Sequence, residues 1–180
     1  MAFLNWRSTL ALSVLLACVF TGGAQTDEAR KPAAKPALDK TPIVQPIPFS
    51  HKLHAGTLKL ACLGCHVIPD PGYAAGYPKE SFCMTCHTAI KADSPAIQKL
   101  AGFEKEGKSV PWAKVYVVPD YVYFSHQYHH KEADIACETC HGPVATRTVL
   151  GKEKETSMEA CMECHTEYKA SNECNICHNF

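Results

Sequence analysis

The first apolar run of this 180-residue chain lies at its N-terminus. Residues 8–20 are almost wholly apolar, follow one positive charge at Arg7 and precede small residues at 21–24. This is the pattern of a bacterial export signal. A bilayer span needs roughly 20 apolar residues, so the run is short for a transmembrane helix. We expect residues 1–24 to be a signal peptide or an anchor.

This segment has three alternative fates. Cleavage after Ala24 would release a soluble protein, and an uncleaved segment would remain as an anchor helix. The sequence Leu15-Leu16-Ala17-Cys18 also resembles a lipoprotein box, which would attach a lipid to Cys18. In each case the chain is expected to be exported, either to the periplasm or to the outer face of the cytoplasmic membrane, where the anchor or lipid would hold it.

Residues 25–46 contain almost no large apolar side chain, which predicts a flexible linker. In the folded part that follows, a Ser-Pro pair at 94–95 marks the start of an amphipathic helix, expected to reach about Phe103. Residues 115–118 and 121–124 are β-branched or aromatic runs separated by a Pro-Asp pair, which predicts a minor β-hairpin. The remainder is expected to be mainly α-helical in short pieces, with much irregular loop.

The sequence Cys-x-x-Cys-His occurs five times. Two thiols at this spacing can form thioethers with the two vinyl groups of one porphyrin, and the adjacent histidine then binds the iron as its proximal ligand. The chain is therefore predicted to carry five covalently bound haems c. The thioether cysteines would be Cys62, Cys65, Cys83, Cys86, Cys137, Cys140, Cys161, Cys164, Cys174 and Cys177. The proximal histidines would be His66, His87, His141, His165 and His178.

Zinc binding and thiol redox chemistry fit this pattern less well. Structural zinc sites take four ligands, mostly from two CxxC pairs, and five pairs do not divide evenly. Zinc also gives no reason for a histidine after every second cysteine. A redox-active CxxC would need a thioredoxin-like βαβ context, which the sequence lacks. Only Cys18 lies outside the motifs, so no disulfide is expected.

The folded part contains an internal repeat. Phe-Ser-His-x-x-His at residues 49–54 returns at 124–129, each time ahead of a haem motif. The repeat predicts a first haem unit, 47–110, with two haems and a second, 111–180, with three, packed as one domain. Of the ten histidines, five are proximal, so five imidazoles remain for five irons. These distal candidates are His51, His54, His126, His129 and His130; exposed positions or a surface metal site are the alternatives, and Met158 is a rival iron ligand.

These F-x-H-x-x-H segments ahead of CxxCH motifs resemble the hallmark of the class III multihaem cytochromes c, over about residues 47–180. The resemblance implies a small multihaem fold with a compact cluster of bis-histidine haems. The implied ligand pairs are His51–His66, His54–His87 and His126–His141, with His129 and His130 left for His165 and His178. Residues 94–126 further resemble the pentahaem subunit of alternative complex III, a quinol-oxidising membrane complex.

Iron with six ligands has no open position for substrate, so an electron carrier is predicted and not an enzyme. The resemblance implies redox protein partners, with a quinol-oxidising membrane complex among them. A soluble periplasmic shuttle is the alternative, and a multihaem reductase with one open iron is a further one. Lys plus Arg equals Asp plus Glu at 18 each, which gives no electrostatic case for nucleic-acid binding.

Overall fold

The computed structural model describes residues 37–178, so the predicted signal segment with Cys18 and the first part of the predicted linker lie outside the described residues. Residues Pro36–Phe180 form one compact unit. The α-helices are α1 (Cys62–Cys65), α2 (Glu80–His87), α3 (Pro95–Glu106), α4 (Cys137–His141), α5 (Met158–Glu167) and α6 (Cys174–Cys177). Two π-helices, Lys52–Thr57 and Gln127–Glu132, and a 3-10 helix, Val144–Thr146, complete the described elements. The fold is mainly helical and rich in loops, as predicted.

Helix α3 confirms the predicted helix and extends three residues past Phe103. Ser94 is its N-cap residue and Pro95 opens the first turn, where a missing N–H costs no hydrogen bond. The helix ends at Gly107, which adopts a left-handed conformation with φ 63°. The Lys108 N–H donates to Phe103 O at 3.0 Å, which closes the last turn.

The hydrophobic core is small and lies between α2 and α3. Ile47, Leu100 and Val110 form it, and Cys83 and Met84 of α2 pack against it. Within residues 37–178 the buried apolar side chains are these three and Ile68. A chain of this length normally buries far more apolar surface, so a large apolar cofactor is needed to complete the core.

Replacing Leu100 with alanine is expected to lower the free energy of unfolding by about 2–5 kcal/mol, because it leaves a cavity in this small core. Leu100 is 6% exposed. Chemical denaturation of the holoprotein would measure the loss. Val44→Ala is the control, since Val44 is 89% exposed and its truncation should change stability by less than about 0.5 kcal/mol. Equal effects of the two substitutions would contradict this account of the core.

The predicted β-hairpin is wrong. In the described residues, 115–118 and 121–124 form no strand pair. The Val122 N–H donates to Pro119 O at 2.9 Å in a turn, and the Tyr123 N–H then donates to Cys177 O at 2.7 Å. The second apolar run therefore pairs with the C-terminal haem motif, through an isolated antiparallel bridge between Val122 and His178, and not with the first run.

The two repeated units support each other crosswise. The π-helix of the first unit contacts the loop after α4, where the Lys52 N–H donates to Arg147 O at 2.8 Å. The π-helix of the second unit contacts the loop after α1, where the Gln127 N–H donates to Gly72 O at 3.0 Å. Gly72 has φ 86°, and a Cβ there would collide with the side chain of Gln127. Each histidine-bearing segment thus rests on the partner unit.

Hydrogen bonds hold the N-terminal end of the folded part against the second unit. The Ile43 N–H donates to Leu150 O at 2.8 Å, and Gln45 exchanges two hydrogen bonds of 2.9 Å with the backbone of Ala113. The end of the predicted linker is therefore tied to the second unit.

No helix among residues 37–178 combines the length and the hydrophobicity that a membrane crossing requires.

Candidate haem-binding site

Each CxxCH motif forms one short helical turn, which brings its two cysteines and its histidine to one side of the backbone. We number the motifs in chain order as sites 1 to 5, carried by α1, α2, α4, α5 and α6. The ten motif cysteines are free thiols. Among residues 37–178 no three His, Cys, Asp or Glu side chains converge as a metal-binding group.

Five of the motif thiols lack the lowered pKa that redox-active cysteines have. Burial raises the pKa of Cys65, Cys83, Cys137, Cys140 and Cys161 above the ordinary value, and neighbouring thiols raise it further. Reactive CxxC pairs have the opposite shift, because a lowered pKa supplies the thiolate. These five cysteines therefore lack the electrostatic feature that favours thiol–disulfide exchange.

The same thiols show which sites are neighbours. After burial, the main cause of the raised pKa is Cys65 for Cys83, Cys62 for Cys137, Cys164 for Cys140, and Cys177 for Cys161. Thiols that shift one another's pKa lie near each other. The thiols of site 1 are therefore near those of sites 2 and 3, and the thiols of site 4 are near those of sites 3 and 5. These neighbouring thiols link the attachment motifs in the sequence 2–1–3–4–5.

The three predicted ligand pairs face each other, and so do His129 and His165, whose pairing the sequence left open. The distances between ring centres are 6.3 Å for His51–His66, 6.3 Å for His54–His87, 6.4 Å for His126–His141 and 6.0 Å for His129–His165. An imidazole nitrogen lies about 2.0 Å from a first-row metal ion and about 1.1 Å from its own ring centre, so imidazoles on opposite sides of one iron have centres roughly 6.2 Å apart. The observed gaps fit an iron between each pair.

Hydrogen bonds of the ring nitrogens support the same role. In eight of the ten histidines Nδ1 lies within 3.3 Å of a backbone carbonyl oxygen. A carbonyl only accepts, so Nδ1 must carry the proton and Nε2 keeps its lone pair. This is the tautomer that binds a metal through Nε2, with the carbonyl fixing the ring.

The Phe-Ser pair of the repeat has a role that sequence analysis missed. Phe49 stacks on His54 with ring centres 4.4 Å apart, and Phe124 stacks on His129 at 4.6 Å. The serine carbonyls accept from the Nδ1 of the same two histidines, at 2.9 Å for Ser50 and 2.7 Å for Ser125. The spacing within the motif predicted a ligand pair but not this support, which depends on the π-helical turn.

His130 and His178, the remaining two candidates, each have Nδ1 near a backbone carbonyl oxygen. The Nδ1 of His130 donates to Ile135 O at 3.0 Å, as a ligand histidine would. His178 lies against the ring of Tyr121, at 6.1 Å and 24°. Tyr116 lies edge-on to His141 at 4.7 Å, so both tyrosines pack against proximal histidines. The rival ligand Met158 is 67% exposed at the start of α5.

Burial keeps two of the paired histidines neutral. The pKa of His51 is lowered to about 4, mainly by burial and to a smaller extent by the neighbouring rings of His66 and His54. Burial also lowers the pKa of His141, with His126 as the next cause. A neutral imidazole has no proton to displace before it binds iron, so these sites are prepared for metal at neutral pH.

Two comparisons with known proteins bear on this arrangement. The sequence profile of the family described as "Cytochrome c7 and related cytochrome c" matches residues 122–179. The chain is 31% identical over 160 aligned residues to the multihaem cytochrome c subunit of menaquinone reductase from Nitratidesulfovibrio vulgaris, covering 74% of this chain and 76% of that relative. It is 30% identical over 115 residues to multihaem cytochrome MtrA of Shewanella baltica, covering 56% of this chain and 25% of MtrA.

Proposed function

Because the chain belongs to the multihaem cytochromes c related to cytochrome c7, we propose that it binds five haems c, holds their irons between histidine pairs, and serves as the electron-carrying subunit of a quinone-linked membrane complex. The chain is an electron carrier with haem c as its cofactor, and not an enzyme by itself. The observation that carries the proposal is the set of four facing imidazole pairs at the spacing of a bis-histidine iron.

The chain's own residues have three tasks in this function. The cysteine pairs anchor each porphyrin covalently, and the proximal histidines bind one face of the iron. His51, His54, His126 and His129 bind the other face, with His130 proposed for the remaining iron at site 5. When bound, haem supplies one-electron redox chemistry at iron. Imidazole on both faces closes the iron to substrate, which restricts the protein to electron transfer.

The arrangement of the motifs supports a carrier with two ends. Site 2 adjoins α3 and the small core. Site 5, on α6, is the last site in the sequence 2–1–3–4–5, and the residues that lead into it, 166–176, are all exposed. Sites 1 and 3 lie between them and join the two units. Such an order suits a protein that exchanges electrons with one partner near site 2 and another near site 5.

The relative in Nitratidesulfovibrio vulgaris is a subunit of a menaquinone reductase, whereas the resemblance noted in residues 94–126 is to a subunit of a quinol-oxidising complex. Both support a quinone-linked membrane complex as partner, and they differ in the direction of electron flow. The export pattern of residues 1–24 supports work outside the cytoplasm, in the periplasm or at the membrane surface.

Haem content and coordination test the proposal. A pyridine haemochrome assay with intact mass on purified protein should give five covalent haems per chain. The reduced protein should bind no carbon monoxide within minutes. Solubilised membranes should yield the cytochrome together with larger partner subunits. Fewer than five attached haems, or rapid binding of one carbon monoxide per chain, would contradict the proposed coordination, and recovery of the chain alone from the periplasmic fraction would favour the shuttle.

A further inference from the structure

The four facing pairs differ in how many of their imidazoles are held by the backbone. At sites 2 and 4 both imidazoles donate from Nδ1 to backbone carbonyls, at distances of 2.7–2.9 Å. At sites 1 and 3 one imidazole makes such a bond and the other does not. Both units therefore show the same pattern, with one held imidazole at the first haem site and two at the second.

The imidazole without a bond at site 1 is that of His51. Its Nδ1 is buried and has no hydrogen-bond partner, and among residues 37–178 it is the one buried side-chain nitrogen or oxygen in that condition. Arg147 O, in the loop that supports this π-helix, accepts from the Lys52 N–H instead. Buried polar atoms are almost always paired, so an exception in a metal-binding histidine calls for a physical explanation.

The imidazole without a bond at site 3 is that of His141, the proximal ligand. Within residues 37–178 no protein atom accepts a hydrogen bond from its Nδ1. The neighbouring Tyr116 Oη already accepts from the N–H groups of Glu153 and Lys154, which uses both of its lone pairs. The two units thus leave different ligands unbonded, one distal and one proximal, but at corresponding haem sites.

One loop holds the remaining imidazole of both central sites. The loop after α1 presents Gly76 O to His66 of site 1 and Tyr73 O to His126 of site 3, both at 2.9 Å. The acceptors at sites 2 and 4 lie elsewhere in the chain, on Ser50, Ile90, Ser125 and Ser171. A change in this loop therefore acts on the central sites and spares the hydrogen bonds of the two that flank them.

An acceptor at Nδ1 changes the properties of an iron ligand. A hydrogen bond from Nδ1 to a carbonyl makes the imidazole a stronger donor through Nε2, which favours the oxidised, more positive iron. An imidazole without that bond donates less and leaves the reduced iron relatively favoured, which raises the reduction potential. Sites 1 and 3 each contain one such weaker donor, whereas sites 2 and 4 contain none.

We infer that His51 and His141 set the central sites 1 and 3 at higher reduction potentials than sites 2 and 4, so that the first electron to arrive settles on the central pair from whichever end it enters. The inference rests on the proposed bis-histidine ligation and adds a tuning role for these two histidines. It concerns the first electron, because a reduced haem makes its neighbours harder to reduce.

The first test examines the acceptors in the reduced holoprotein labelled with ¹⁵N-histidine. The Nδ1–H resonances of the six bonded histidines in the facing pairs should lie at low field, as hydrogen-bonded protons do. Those of His51 and His141 should lie at distinctly higher field. A low-field resonance for either would show an acceptor at that nitrogen and would overturn the inference.

The second test measures the order of reduction by NMR. Tyr77 lies 6.0 Å from His66 and Tyr116 lies 4.7 Å from His141, so these rings identify the haem resonances of sites 1 and 3. In the first one-electron stage each central site should be about tenfold more reduced than sites 2 and 4, a gap of about 59 mV for a one-electron couple. Equal or reversed occupancy would contradict the inference.

A glycine variant tests the cause of the gap. Gly72→Ala should displace the loop after α1, because its Cβ would collide with Gln127 at a positive φ. Losing the acceptor at Tyr73 O or Gly76 O weakens another central ligand, so the gap to sites 2 and 4 should widen. Gly102→Ala is the control, since a Cβ there meets nothing within 4 Å and all potentials should stay the same. If the His126 Nδ1–H resonance moves to higher field in Gly72→Ala and the gap does not widen, the tuning role is wrong.

The wild-type measurements decide the matter if Gly72→Ala does not fold. Haem count and spin state, measured on the same wild-type sample, separate the inference from the proposed function. Fewer than five low-spin haems would show that the ligand assignment itself is wrong. Five low-spin haems without the expected gap would leave the ligands in place and refute only the tuning role.

Discussion

Replacing His129 with alanine should turn one of the five haems into a high-spin centre that binds carbon monoxide. His129 faces His165 with ring centres 6.0 Å apart, and its Nδ1 donates to Ser125 O at 2.7 Å, so it is positioned as the second ligand of site 4. An alanine leaves that face of the iron open. Carbon monoxide binding to the reduced protein should rise from near zero to about one per chain, measured by the Soret shift in a stoichiometric titration.

Met158→Leu is the control for this experiment. Met158 lies on the same helix as site 4 but is largely exposed, so its replacement should change neither spin state nor carbon monoxide binding. If Met158→Leu opened an iron and His129→Ala did not, the methionine would be the ligand. The haem count should stay the same in both variants, because neither substitution removes a thioether.

Loss of the haem at site 3 should damage the protein far more than loss at site 5. The thiols of site 3 adjoin those of sites 1 and 4, and Tyr116 packs on its histidine while also accepting from the Glu153 N–H at 2.9 Å. Cys137→Ala with Cys140→Ala should therefore remove about 3 kcal/mol or more of stability and lower Tm by roughly 10–20 °C, measured by thermal denaturation of exported protein.

The matched variant is Cys174→Ala with Cys177→Ala. Helix α6 is exposed over most of its length. The end of this motif pairs with the distant segment 122–123, through the Tyr123 N–H and the bridge between Val122 and His178. We expect folded protein with four haems and a fall in Tm of a few degrees at most. Intact mass verifies the haem count of each variant. Similar thermal stability of the two double variants would show that site 3 is not central.

Local chemistry made much of the structure predictable from sequence. The CxxCH spacing determines which residues attach one porphyrin, and each motif indeed forms a helical turn. The Ser-Pro start of α3 and its left-handed glycine end act within a few residues, which is why that helix was predicted well. The distal candidates His51, His54, His126 and His129 came from the count of spare histidines, and the family resemblance implied partners for the first three. The ring distances are consistent with those three pairs.

Long-range pairing was not predictable in the same way. The run at 121–124 has strand-forming residues, but its partner is the C-terminal motif, and β propensity does not identify a partner. The charged residues 152–155 carry no sequence pattern that indicates a tertiary contact. Yet Glu153 pairs with Arg147, and Tyr116 Oη accepts from the backbone of Glu153 and Lys154. The two hydrogen bonds of Tyr116 join residues 37 and 38 positions apart, which no local pattern reveals.

The crosswise support between units has a consequence for how the protein matures. The segment that bears His51 and His54 is completed by a carbonyl at Arg147, which is synthesised well after sites 1 and 2. Haem can be attached to those sites early, whereas their distal histidines reach their final positions only when the second half of the chain is present. A chain truncated near residue 110 should therefore carry two haems whose distal histidines are not held in position. The two repeated halves therefore complete their ligand spheres in a single assembly step.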